Sequence, residues 1–234
     1  VPTVPQVSEN PTVQQHYVVQ AALVESLAEA VAGVDAPNLR AAVASLTREF
    51  QAASIALSAD YYTELRDLAE VPGSFSVPVL DPWTEADLSA YFDTVLREIT
   101  EDVERAKQAA ATSQRLTLDS GIDEVFAAIE KDPAKPRWAR VTRPGACSFC
   151  LMLAMRGAVY RSEESANFRA HTRYENSGGV CRCGVEPSFT NYEPPAHIRE
   201  MQQLYSEATT GLPRGADRAN AFRRALYASR KTSR

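Results

Sequence analysis

Four cysteines are the only ones in the chain, and they come in two close pairs, Cys147-Ser-Phe-Cys150 and Cys181-Arg-Cys183, with His171 between them. Four thiolates, or three and an imidazole, are what a tetrahedral zinc ion takes as its shell. Residues two apart on a strand point to one face, so Cys181 and Cys183 can reach the same ion. Cys147 and Cys150, in the first turn of a helix, also share a face. Such a zinc ion would cross-link loops about thirty residues apart and contribute on the order of 10 kcal/mol to folding. A shell filled by four ligands has no open position for substrate, so the expected role is structural. Two other readings compete: buried free thiols or disulfides within a small core, and a thiol–imidazole pair between Cys147 and His171 or His197. No strained nucleophile-elbow pattern surrounds a serine, and paired cysteines suit a lone reactive thiol poorly.

Basic residues form the second group. Arg137, Arg140 and Arg143 alternate along a stretch that reads as a strand, and from Arg214 to Arg234 there are seven basic residues against the single acid Asp217. Arg214, Arg218, Arg223, Arg224, Arg230 and Lys231 are therefore candidates for contact with DNA phosphates or with an acidic protein partner. Overall the chain carries a formal charge of only −5 over 234 residues, so its total balance does not mark a nucleic-acid binder. No run of about twenty apolar residues is present, which excludes a helical membrane span. Nothing near Val1 reads as an export leader, which favours a metal over disulfides, and the missing methionine fits a processed or trimmed terminus.

The elements that must position these residues are mostly helical. Residues 1–12 read as an extended arm. From Val13, Tyr17, Ala21, Val24, Ala28 and Val31 recur on one helical face, and Asp35-Ala-Pro37-Asn38 ends that helix. Leu39 to Leu68 repeats apolar residues at three and four, which predicts a helix about 45 Å long, antiparallel to the first. The prolines from Pro72 to Pro82 mark a connector and candidate boundary. Thr84 caps a further helix whose stripe is Leu88, Phe92, Val95, Ile99, Val103 and Ala106, and a shorter helix carries Ile122, Val125, Phe126 and Ile129. Strands are expected at 137–143, 158–161 and 185–189, and short helices from Cys147 to Arg156, stopped by Gly157, and from Ser162 to Phe168. Two helices, one carrying Ile198 and Leu204 and one carrying Phe222 and Leu226, close the chain. His16, on the first helix, is expected at the surface. The fold class is mainly α: long N-terminal helices (13–132), a small Cys-stapled α+β module (133–192) and a basic helical tail (193–234).

Trp138-Ala-Arg140-Val, Ala146-Cys147-Ser-Phe-Cys150, Leu153-Ala-Met-Arg156-Gly157-Ala-Val-Tyr160, His171 and Cys181-Arg-Cys183-x-x-Glu186-Pro187 form a long, ordered block. With Ala59-Asp60-Tyr61-Tyr62-x-x-Leu65-Arg66 upstream, it resembles the minor capsid, or head morphogenesis, family of actinobacterial tailed phages, related to the phage Mu protein F group. The resemblance runs from about Leu39 to Phe189. It implies a low-copy structural protein of the virion, in the capsid interior or at the portal vertex. Such a protein associates with the phage portal protein and the major capsid protein as heads assemble in the host cytoplasm. Some relatives are labelled maturation proteases, so a protease using Cys or His chemistry is the competing class, and a zinc-stabilised nucleic-acid module is a third.

Overall fold

The computed structural model describes residues 7–142, 145–166 and 183–232. Its elements are α1 (Pro11–Ala32), α2 (Leu39–Leu68), α3 (Glu85–Leu96), α4 (Asp102–Lys131), β1 (Arg137–Val141), α5 (Ser148–Ala154), β2 (Gly184–Ser188), α6 (Ala196–Thr209) and α7 (Ala216–Thr232). The protein is mainly helical with one small antiparallel sheet. No helix among the described residues is long and apolar enough to cross a membrane. The chain divides into two compact units, one built on residues 12–135 and one on residues 136 onward together with the segment 7–11.

In the first unit α1 runs antiparallel to α2, as the spacing predicts. Thr12 Oγ1 donates to Glu64 Oε1 at 2.8 Å, His16 stacks on Tyr61 with centroids 4.0 Å apart, and Gln20 Nε2 reaches Ser54 O at 3.2 Å. His16 is therefore a packed ring and not a bare surface residue, because Tyr61 faces it across the hairpin. The closest partner of α2 is α4, which runs parallel to it: Thr47 meets Ser113, Gln51 meets Leu116, and Tyr62 meets Asp132.

Three tiers hold α2 and α4 together. At one end an apolar cluster joins Leu27 and Val31 of α1, Leu39 and Val43 of α2, Leu88, Phe92 and Leu96 of α3, and Leu116 of α4. The middle tier is polar. Gln20, Thr47, Gln51, Ser54, Ser58, Ser113, Thr117 and Ser120 are all buried, with Gly121 among them. A Cβ on Gly121 would lie 2.5 Å from Ser54 Oγ and 2.7 Å from Ser58 Oγ, so only glycine permits this approach of the two helices. At the far end Arg66 Nε and Tyr62 Oη both donate to Asp132 Oδ2, at 3.1 and 3.0 Å, and Asp132 is completely buried.

The proline-rich connector is strapped to this unit by buried polar side chains. Arg66 donates to the carbonyls of Val71, Pro72 and Gly73, Glu124 Oε2 accepts from Leu80 N at 2.8 Å, and Gln51 Oε1 accepts from Trp83 N at 3.2 Å. It is not a boundary between units. Burial pushes the Glu124 carboxyl up from the ordinary range, with the Leu80 hydrogen bond and the Lys131 charge pulling the other way. Thr84 then caps α3, accepting from Asp87 N at 3.2 Å, as the sequence suggests.

The helix breaks fall elsewhere than periodicity places them. The stripe from Leu88 stops at Leu96, and α4 starts afresh at Asp102 behind an extended Glu101. Val103 is consequently exposed, and α4 runs unbroken through to Lys131. Its buried face keeps helical spacing, but through Thr112, Ser113, Thr117, Ser120, Gly121 and Glu124, which a search for apolar residues passes over.

Candidate functional site

The residues expected to do chemistry gather in the second unit, around the β1–β2 pair. These strands are antiparallel, with Trp138 opposite Pro187, Arg140 opposite Val185, and Val141 opposite Gly184. On the other edge of β1, Trp138 N donates to Tyr160 O at 3.1 Å and Tyr160 N returns to Trp138 O at 3.4 Å. That single bridge replaces the expected strand at 158–161. Gly157 at φ +68° precedes it and the reciprocal Ser162–Ser165 turn follows, leaving one residue in register. Gly157 also lies against Tyr192, 3.3 Å from where a Cβ would stand. The Tyr160 hydroxyl donates to Leu153 O at 2.7 Å, and the Arg156 guanidinium sits 5.2 Å from the Tyr160 ring centroid, so α5 is tied to the sheet through one side chain.

Cys147 is the N-cap of α5, with Sγ accepting from Cys150 N at 3.4 Å. Cys150 is completely buried, and Arg140 Nη1 donates to its sulfur at 3.7 Å. Arg140 is itself only 2% exposed, which withdraws it from the expected contact with DNA phosphates, since its guanidinium points to the core. Cys183 is buried immediately before β2, and no disulfide joins it to Cys147 or Cys150. Among the described residues no group of three or more His, Cys, Asp or Glu is placed to hold a metal ion. Cys181 and His171, the other two expected ligands, lie outside the described residues, as do Arg143 and Phe168. His197, the other imidazole considered for catalysis, has its Nε2 3.3 Å from Thr142 Oγ1. Burial holds its pKa below the usual imidazole value, partly offset by Glu200 and Glu9.

One group escaped the sequence reading as a site: Glu186, on β2. It is 8% exposed, and burial pushes its carboxyl up to about 7, with the hydrogen bond from Ser8 pulling the other way. Ser8 Oγ donates to Glu186 Oε2 at 3.3 Å, Val7 is buried beside it, and Glu9 Oε1 accepts from Ala196 N at 3.0 Å. The end of the expected arm thus caps α6 and covers an acid of the sheet. Only its place in the Cys-x-Cys-x-x-Glu-Pro string marked Glu186 in advance.

The basic tail separates into two sets. Arg218 Nε donates to Leu212 O at 2.9 Å and Arg230 Nη2 to Ala146 O at 2.6 Å, so both hold the fold. Arg214, Arg223, Arg224 and Lys231 are exposed, with no hydrogen bond or ion pair among the described residues. Behind them Phe222 and Leu226 pack on Leu151, Ala154 and Ile198.

A family model described as VG15 protein matches residues 12–208, from α1 through almost the whole of α6. The chain belongs to the VG15 protein family. It is a phage-related protein. None of the curated proteins and none of the solved structures matches it. In this VG15 protein the Arg140–Cys150 contact, the Trp138–Tyr160 bridge and Glu186 all fall inside the matched residues, whereas α7 lies beyond them.

Proposed function

We propose that this VG15 protein is a structural minor capsid component of a tailed phage, associated with the portal and inner capsid during head assembly. The observation that carries the reading is the family match over residues 12–208. The site's chemistry is in keeping with it. Cys147 caps its own helix, Cys150 is enclosed with a guanidinium on its sulfur, and Glu186 is covered by Ser8. These groups are spent on holding backbone and on closing a small core, which suits an architectural part better than a maturation protease. Residence in the virion is the test. Particles from a phage carrying a tagged copy should contain the protein at a few copies each, and phage lacking it should form defective heads. Heads that accumulate uncleaved precursor in its absence, while the protein itself is missing from finished particles, would move the reading to the protease.

Zinc is the proposed closure of the cysteine module. Cys147 and Cys150 would supply two ligands, and Cys181, Cys183 or His171 the remainder. Support comes from the donor set itself: Cys147 and Cys150 meet in the first turn of α5, where Cys150 N donates to Cys147 Sγ at 3.4 Å. Bound zinc would supply a cross-link and no open coordination position. Elemental analysis of the purified chain should find one zinc per molecule, lost in Cys150→Ser. A folded, metal-free protein that keeps its stability in chelator would remove the ion from the account.

A further inference from the structure

Charge is segregated between the two units. Residues 12–135 contain nine basic and 21 acidic side chains, a formal charge of −12, whereas residues 136–234 with Glu9 contain sixteen basic and nine acidic, a formal +7. In α7, Arg223, Arg224, Tyr227 and Lys231 follow one another at spacings that place all four within an arc of about 100°. Tyr227 is 52% exposed near the centre of that arc, which faces away from the buried Phe222. The three cations are without ion-pair partners among the described residues, while five ion pairs lie in the acidic unit.

We propose that this face of α7 docks on the acidic unit of a second copy of the chain, so that copies associate head to tail. An aromatic flanked by arginines is the composition of a protein–protein hot spot. Three cations are few for a phosphate backbone, whose binding rests on the number of charges neutralised. The chain itself supplies a unit of complementary charge, formally −12, in every copy. Because the two faces differ, the contact is heterologous, and each copy can give one face and receive the other, as in a ring or an open row. The face lies outside the residues the family model matches, so this association is not a reading of family membership.

Sedimentation of the full-length protein tests it. At about 50 mM salt the average mass should rise with protein concentration, and the association should weaken tenfold or more by about 300 mM. The triple variant Arg223→Glu, Arg224→Glu, Lys231→Glu should remain monomeric alone. It keeps an intact acidic unit, so labelled variant mixed with wild type should be taken up at chain ends and should shorten wild-type assemblies. Tyr227→Ala should weaken association about tenfold without altering its salt dependence. Wild type that stays monomeric at low salt would overturn the proposal, as would a triple variant that wild type does not capture. The same holds if the triple substitution abolishes binding to a duplex DNA fragment but leaves self-association intact. These positions are exposed and without ion-pair partners among the described residues, so an unchanged circular dichroism spectrum and unfolding midpoint should accompany the expected result.

Discussion

The two units reach a defined fold by different means. In the acidic unit, the middle of the α2–α4 pair buries a run of Ser, Thr and Gln side chains, and its far end carries the Arg66–Asp132–Tyr62 cluster. The basic unit relies on a small apolar cluster between α5, α6 and α7, a two-stranded sheet, and an N-terminal segment that covers Glu186. A polar interface tolerates fewer alignments than an apolar one, because each misaligned donor or acceptor remains buried and unsatisfied. The acidic unit thus has its helix register fixed chemically, whereas in the basic unit the charge state of Glu186 bears on how well its N-terminal segment seats.

Cutting the far end of the polar interface should do the most damage. Asp132→Ala leaves the Arg66 guanidinium, only 9% exposed, without its counter-charge, and should cost about 3–5 kcal/mol. Urea unfolding followed by circular dichroism would measure it. Tyr62→Phe removes one hydrogen bond to the same oxygen and should cost about 1 kcal/mol, so a loss as large as that of Asp132→Ala would deny the ion pair its role.

Glu186 probes the other unit. Its carboxyl is raised from 4.5 to about 7 in the folded chain. Between those pH values the folded protein holds a proton that the unfolded chain has released. The Glu186 contribution to stability should therefore fall as pH rises from about 4.5 and level off above about 7, by on the order of 3 kcal/mol in total, read as the difference between wild type and Glu186→Gln. Glu186→Gln should flatten that slope when unfolding is measured across pH 4 to 8. Proteolysis near Ser8 should become faster in the wild type over the same interval and remain constant in the variant.

What the sequence discloses follows the same division. The α2 limits, the Thr84 cap, the Gly157 stop and the apolar faces of α6 and α7 rest on local signals, namely periodicity, a capping hydroxyl and a glycine with positive φ. The length of α4 was hidden because its buried face is written in Ser, Thr and Gly, and Ser54 and Ser58 opposite it are no more apolar. Arg140 looked like a phosphate contact by type and alternation. Its burial depends on Cys150, ten residues on, folding back beneath the strand. The candidate site was legible as a string of cysteines, and Ser8 was not, since its partner Glu186 is 178 residues away.

Two smaller changes test whether the helix register is as tightly held as argued. In an exposed helix, Gly→Ala stabilises by about 1 kcal/mol. At Gly121 the added methyl meets Ser54 Oγ, which donates to Gln20 Oε1 at 3.0 Å and cannot turn away without losing that bond. Gly121→Ala should therefore destabilise by about 2 kcal/mol. Removing both hydroxyls, in Ser54→Ala with Ser58→Ala, should restore much of that loss, and simple additivity in this cycle would mean that the helices are not in close contact there.

The smallest effect belongs at Thr84, where the structure agrees with local sequence. Thr84 Oγ1 accepts from Asp87 N at 3.2 Å and donates to Asp87 Oδ2 at 2.6 Å, at an exposed position. Thr84→Ala should cost about 1 kcal/mol, and Thr84→Ser only a fraction of that, since serine keeps the hydroxyl. Hydrogen exchange should locate the loss. If it is confined to the first turn of α3, the cap acts on that helix alone. Faster exchange spreading to Leu80 and Trp83 would mean that the cap also fixes the strap on Glu124 and Gln51, because the connector's two anchored amides precede it directly.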